Sequence, residues 1–407
     1  MSQYIRIRAA RLVDGRSTRP INDGAVLVAD NRILAVGPAD QVTAPPGAAV
    51  RERHFPGGTV MPGLIDVHAH LTFGTAGRGY ETVMSEDSDD LMLVRAVRNC
   101  QLHLKAGITT IRDCGARNRT SLSLRDASAA GLFPGPRLLV SGPPITHTRG
   151  HFWWCNGEAD GVDGVRQQAR DLLDSGVDFL KIMASGGGTK GTDQSRASYT
   201  VEEIAAAVQE AHRDGKLTTA HCLAADGVAA AVAAGIDQVE HINFIQPDGS
   251  RQFDLRVAEQ IVEQGVVVSP TIQTGYRQIE RLREQPGKTK QQQATLADLE
   301  YKLETKLSFV NRFRELGARI VMGTDAIATF GDYTIGLELL NRAGLSPMEV
   351  LKAATSIAAE AIGLGSEVGR LEAGKEADIV VVNGDPTVDI RAAGDIALVM
   401  RAGEVVR

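Results

Sequence analysis

Residues 60–71, VMPGLIDVHAHL, limit what this chain can fold into more than any other stretch. Val60, Met61, Leu64, Ile65 and Val67 form an apolar run that reads as a buried strand, with polar atoms only toward its far end. Successive side chains of a strand point to opposite faces, so Asp66, His68 and His70, spaced two apart, leave the same face. Two imidazoles delivered side by side at a strand end can grip one metal ion from one direction. A lone His-x-His pair fits a loop flank equally well, so the rest of the chain has to decide.

The middle of the chain repeats one pattern, a short apolar strand followed by a helix. After 60–71 come TTIRDCG (109–115), RLLVSGPPI (137–145), FLKIMASGG (179–187) and LTTAHCL (217–223). QVEHIN (238–243), VVVSPTI (266–272) and RIVMGTDA (319–326) complete the series. Helix signals lie between them. Leu93, Val97, Cys100 and Leu104 share a helix face that stops at Gly107, Thr200 and Glu203 form a capping box, and Ser346-Pro347 opens another helix. Eight such strands predict an α/β fold, a (β/α)8 TIM barrel whose buried parallel strands read as near-continuous apolar runs.

The ends of the chain read differently. Tyr4–Val13, Ala25–Ala29 and Ile33–Val36, and later Asp378–Val382 and Ala397–Val406, are short strands around turns at Asp30-Asn31 and Asn383-Gly384-Asp385. Neither end has enough apolar residues for a core of its own. Residues 1–57 and 365–407 are therefore expected to form one composite β-sandwich beside a barrel over 58–364.

Composition mainly excludes. A formal net charge of −6 gives no reason to expect nucleic acid or an anionic membrane as partner. No apolar run reaches bilayer-spanning length, and the opening MSQYIRIRAARLV lacks the apolar core of a secretion signal. The four cysteines form no CxxC pair and read as reduced cytosolic thiols. The expectation is a cytoplasmic homo-oligomer acting on a small-molecule substrate.

One regularity carries the functional reading. Each unusual polar residue in a strand candidate lies near its C-terminal end: His68, His70, Lys181, His221, His241 and Asp325. Barrel enzymes place their chemistry on that face. His68, His70 and Asp325 would hold a first divalent cation, and His221 and His241 a second. Imidazole and carboxylate ligands suit zinc, with manganese, cobalt or iron also compatible. A protonated Lys181 would be repelled by two cations, whereas a buried lysine can be neutral and add carbon dioxide. The resulting carbamate has two oxygens and can bridge two metals; the plainer reading is a strand-end lysine paired with a carboxylate such as Asp325. Two divalent cations against carbamate, Asp325 and a bridging hydroxide leave about one positive charge to polarise a carbonyl.

The order HxH, Lys, His, His, Asp resembles the amidohydrolase superfamily in its binuclear, carboxylated-lysine form. The opening VMPGLIDVHAHL and the closing GRLEAGKEADIVVV (369–382) resemble it too. GVDFLKIMASGG (176–187) and MGTDA (322–326) are similar to its imidazolonepropionase-like and Xaa-Pro dipeptidase-like group. The resemblance implies a barrel with a small β-sandwich, two metals, and hydrolysis of an amide or related bond. Water between the two cations would attack as hydroxide, and Asp325 would take its proton and pass it to the leaving nitrogen.

For a further donor to the oxyanion, the resemblance points to His151 in THTRGHFWW (146–154), with His147 as competitor. Phe152, Trp153 and Trp154 follow, as substrate contacts or as a loop anchor. SGGGTKGTDQSRASYT (185–200) reads as a lid carrying Lys190, Arg196 and Tyr199 toward a substrate carboxylate, or as a surface loop. Peptidase-like relatives often carry Tyr or Gly soon after the strand-five histidine; Cys222-Leu223-Ala224 stands here instead. His54, His103 and His212 read as surface or packing residues, and 281–293 as a solvated helix or lid. The expected reaction is hydrolysis of a dipeptide or N-acyl amino acid. The alternatives are a carbamate, urea or lactam as the scissile bond, a mononuclear deaminase, and a non-enzymatic scaffold.

Overall fold

The computed structural model describes residues 4–74 and 77–407, so Met1, Ser2 and Gln3 of the opening stretch lie outside the described residues. The first strands are β1 (Tyr4–Leu12), β2 (Ile21–Ala29), β3 (Arg32–Pro38) and β4 (Val50–Pro62). Then follow β5 (Leu64–Ala69), β6 (Ile108–Asp113), β7 (Arg137–Val140), β8 (Phe179–Met183), β9 (Leu217–Ala224), β10 (Gln238–Ile245) and β11 (Val267–Ser269). The last are β12 (Ile379–Asn383), β13 (Ile396–Arg401) and β14 (Glu404–Val405).

The two chain ends share one sheet. Hydrogen bonding joins seven strands in the order β14-β13-β12-β4-β1-β2-β3, a single sheet where two facing sheets were expected. Alternation along β1 puts Ile5, Ile7 and Ala9 on a face with Val28, Ile33, Ile379, Val381 and Met400. The intervening arginines face out, Arg6 onto Glu52 and Arg8 onto Asp23 at 2.7 Å.

The stretch 60–71 is two strands, because the chain changes sheets at Pro62-Gly63. Proline has no N–H to continue a ladder. A Cβ on Gly63 would stand 2.1 Å from Thr109 Oγ1, so glycine leaves the space that the Thr109 side chain fills. The Gly63 N–H donates back to Asp378 O at 2.9 Å, while Leu64 N–H donates forward to Gly107 O at 3.0 Å.

Seven of the eight predicted strands pair in parallel, β5-β6-β7 in one sheet and β8-β9-β10-β11 in another. Single bridges link the two sets: Ile145 to Ile182, Val268 to Ile320 and Ala69 to Ala326. The eighth segment, 319–326, forms the last two of these bridges and no ladder of its own. Asp325 interrupts it with a φ of +54°, turning the chain where its carboxylate has to point inward. The arrangement is α/β and barrel-like, with thinner hydrogen bonding at the two seams.

Helices cover the parallel strands as the caps predict. Thr200 N–H donates to Glu203 Oε2 at 2.8 Å and Glu203 N–H to Thr200 Oγ1 at 3.3 Å, starting the helix Val201–Arg213. Within 281–293 the helix Tyr276–Glu284 ends and, after a Thr289 cap, a long helix Lys290–Glu315 begins. Among the described residues no helix is long and apolar enough to cross a membrane.

Candidate active site

The C-terminal ends of the parallel strands deliver their polar side chains to one pocket of about 250 Å³. Its wall contains His68 from β5, His70 just beyond it, Lys181 from β8, His221 from β9, His241 from β10 and Asp325. Asp66, fully buried, staples the first and last of these segments. It accepts from His68 N–H at 3.1 Å, Thr324 N–H at 3.0 Å and Thr324 Oγ1 at 2.6 Å. His68 O then accepts from Asp325 N–H at 2.7 Å, which locks the first and last of these segments into register.

The donor atoms converge. His68 Nε2 and His70 Nε2 lie 3.3 Å apart, and each is 3.4 Å from Asp325 Oδ1. A tetrahedral ion with ligands at about 2.0–2.1 Å needs ligand–ligand edges of about 3.3–3.4 Å. The triangle therefore fits a divalent metal without rearrangement. The outer partners agree. His70 Nδ1 faces Gly115 O at 3.1 Å and must donate to that carbonyl, which leaves Nε2 bare toward the triangle.

The other imidazoles are prepared in the same way. Thr271 Oγ1 donates to Pro270 O at 2.9 Å and so accepts from His241 Nδ1 at 2.7 Å, leaving His241 Nε2 as the lone-pair atom. His221 Nε2 donates to Gly186 O at 3.1 Å, leaving Nδ1. The His221 and His241 ring centres are 4.5 Å apart. Burial holds His221 down to about 3, and pushes His68 and His241 well below the ordinary imidazole range, so these three are neutral at pH 7.

Lys181 is buried and paired with Glu240, a residue the sequence reading passed over. Burial lowers its ammonium to about 8. Glu240 is itself held by Thr219 Oγ1 at 2.9 Å and Arg112 Nη2 at 3.3 Å, and His68 Nδ1 lies 3.3 Å from its Oε1. With His68 and His241 it forms a second possible ligand group. An acid inside the apolar strand QVEHIN, directly before the pocket histidine His241, was the signal available.

Backbone strain gathers here. His241, Ile242, Phe244, Thr271, Asp325 and Phe152 have φ between +42° and +66°, and β10 slips register between His241 and Ile245. Such conformations cost about 1–3 kcal/mol each and persist where the surroundings over-determine them.

His151 also lines the pocket, buried, with its ring centre 4.6 Å from that of His221. Its Nδ1 is 2.7 Å from Thr189 Oγ1, and burial keeps it neutral. Phe152 N–H donates to the same hydroxyl at 3.2 Å, and a Thr189 hydroxyl that gives its own proton to Nδ1 leaves the ring proton on Nε2. Phe152 is beside it in the wall, with Tyr80, Met183, Leu223 and Ile327.

The remaining residues expected at the substrate stand outside that wall. Trp154 is buried under it, packed on Phe73, Tyr80 and Phe152, while Trp153 is 42% exposed on the outer surface. Both act in this structure as the loop's anchor and outer face. His147 is tied to its neighbour's Thr148 O at 2.9 Å. Tyr199 is buried and spends its hydroxyl on Ala159 O at 2.7 Å. Lys190 and Arg196 point to solvent, because the 185–200 loop folds back with Gly186 N–H on Asp193 O at 3.0 Å. Lys306, Asn243 and Thr274 line the pocket and were missed. Lys306 lies in a helix rich in charged residues, where nothing marks one lysine as inward. Among the other histidines, His103 is buried against Phe330 and His54 is exposed.

Residues 59–406 match the Amidohydrolase family. The chain is 27% identical over 417 aligned residues to ochratoxinase of Aspergillus niger, covering 95% of this chain and 82% of that protein. It is 25% identical to imidazolonepropionase of Symbiobacterium thermophilum, covering 89% and 84%. The solved structure of a Xaa-Pro dipeptidase with bound methionine superposes with a TM-score of 0.85 over the whole of both chains; at 24% identity it shows the shared fold. The matched profile and the pocket agree, and this chain belongs to the amidohydrolase family as a hydrolytic enzyme of carbon–nitrogen bonds.

Proposed function

We propose that the chain is a binuclear metal-dependent amidohydrolase that cleaves the amide bond of a dipeptide or N-acyl amino acid carrying a free carboxylate. The observation that carries the reading is the triangle of His68 Nε2, His70 Nε2 and Asp325 Oδ1, with His221, His241 and Lys181 in the same pocket. His68, His70 and Asp325 would hold one cation and His221 and His241 the other, zinc by ligand type, in the barrel over residues 58–364. Lys181, lowered by burial and carboxylated by carbon dioxide, would bridge them. Arg112 and Thr219 keep Glu240 partnered when Lys181 changes charge. When bound, the cations supply Lewis acidity and an acidified water.

The chain's own groups do the rest. The Asp325 carboxylate, partly open to the pocket, accepts the proton of the attacking water and returns it to the leaving nitrogen. The His151 Nε2–H, set by Thr189, donates to the carbonyl oxygen as it gains charge. Phe152, Met183 and Ile327 exclude bulk water and receive an apolar side chain.

The test is a hydrolysis screen of zinc-loaded protein with dipeptides, N-acyl amino acids, their neutral primary amides, and matched carbamates and lactams. Metal content is measured on the same preparation. Two metals per chain, with turnover of the free acids, is the expected result. Turnover confined to neutral carbamates or lactams replaces the substrate class, and one metal per chain at full activity removes the binuclear reading.

A further inference from the structure

The pocket has one end that the hydrolytic reaction leaves unused. Lys306 comes from the long helix Lys290–Glu315, and its ammonium lines the pocket. Its Nζ is 3.3 Å from Thr271 O, the carbonyl that also accepts from Thr274 Oγ1 at 2.8 Å. A shared acceptor puts the ammonium and the Thr274 hydroxyl side by side. The same residue, Thr271, holds His241 by its hydroxyl, so Lys306 is built into the turn that orients a ligand imidazole. The +44° φ of Thr271 is what lets one residue face both ways.

Two lysines line this pocket, and only one is committed. Lys181 is paired with Glu240, whereas among the described residues no carboxylate lies within salt-bridge distance of Lys306. Burial lowers Lys306 to about 8, which keeps it a cation at neutral pH. Asn243, two residues beyond His241, is buried in the same wall with its Oδ1 unpartnered among the described residues. That oxygen can only accept a hydrogen bond, whereas a half-buried cation without a counter-ion calls for an anion.

We propose that Lys306 binds the free carboxylate of the substrate, and that this lysine makes the enzyme selective for acids over neutral amides. The inference rests on the amide-hydrolase reading of the same pocket and names its substrate class. It also moves carboxylate recognition from the exposed Lys190 and Arg196 to the pocket wall. A partly desolvated charge-assisted hydrogen bond corresponds to about a ten- to hundredfold preference.

The experiment has two arms, run on wild type, Lys306→Met and Lys306→Arg. The first is calorimetric binding of N-benzoyl-L-leucine and of its primary amide, which needs no turnover. The second is kcat/KM for hydrolysis of the same pair. Wild type is expected to bind the acid at least tenfold more tightly than the amide, Lys306→Met to lose that ratio, and Lys306→Arg to recover part of it. Thermal unfolding and metal content of each variant confirm that the fold and the ligand set persist. Equal acid-over-amide ratios in wild type and Lys306→Met overturn the assignment, as does a wild type that binds both alike. Absence of hydrolysis with the binding ratio intact overturns the proposed reaction and leaves the carboxylate subsite standing.

Discussion

Gly187→Ala is a test of His151 that leaves the histidine in place. A Cβ on Gly187 would stand 2.3 Å from His151 Nε2, 2.4 Å from Cδ2 and 2.5 Å from Cε1. Van der Waals contact begins near about 3.5 Å, so the ring has to move by about 1 Å. Gly187 has no positive φ, and the conflict is between side chains alone. His151 is buried and held through Nδ1 by Thr189 at 2.7 Å, so the move breaks that bond, worth about 1 kcal/mol, and adds an overpacking cost of about 1–3 kcal/mol. A 1 Å misplacement of a reacting group typically costs about a hundredfold in rate. The expected result is a loss of that order in kcat/KM, with metal content unchanged and a lower melting temperature. In a His151→Ala background the added methyl has room, and its effect on rate should largely vanish. Full activity in the single variant, or the same loss in both backgrounds, would refute a reacting role for His151.

Three further outcomes follow from the same geometry. Lys181→Ala should lose metal and nearly all turnover, with partial rescue by bicarbonate or short carboxylic acids; full metal content and rate would remove the bridging role. Thr271→Val keeps shape and backbone preference but deletes the acceptor for His241 Nδ1, and metal titration should show about a ten- to hundredfold weaker second site. Glu210 is held down to about 2 first by Arg170, then by Arg166 and Arg213. A carboxyl with a depressed folded pKa stabilises above its unfolded value near 4.5, and that stability is lost as pH falls toward 2. The full shift corresponds to about 3 kcal/mol; with Arg213 58% exposed, solvent screening reduces this to about 1–2 kcal/mol. Glu210→Gln should therefore destabilise the chain at pH 7 by that amount in urea titration and by little near pH 2.

How much could be read in advance depended on how local the cause was. The HxH pair, Lys181, His221, His241 and Asp325 were legible because strand periodicity and the strand-end rule are properties of short stretches. The capping box at Thr200 and the cap-then-proline start at Ser346 were legible for the same reason. Lys190 and Arg196 stood out in a glycine-rich loop, yet that loop folds onto itself and leaves them in solvent. Glu240 and Lys306 went unnoticed because their meaning depends on partners distant in the chain: Arg112 and Lys181 for the one, the Thr271 carbonyl for the other.

The amino-acid sequence by itself determined the family, the alternation of strand and helix, and which polar side chains the strand ends carry, because each is carried by spacing within one segment. Tertiary structure alone decided that the joined ends make a single sheet, that 60–71 breaks at Gly63, which nitrogen of each imidazole is bare, and which lysine faces the pocket uncompensated. Those features are set by contacts between segments tens to hundreds of residues apart, whose distances and hydrogen-bond directions no local pattern encodes.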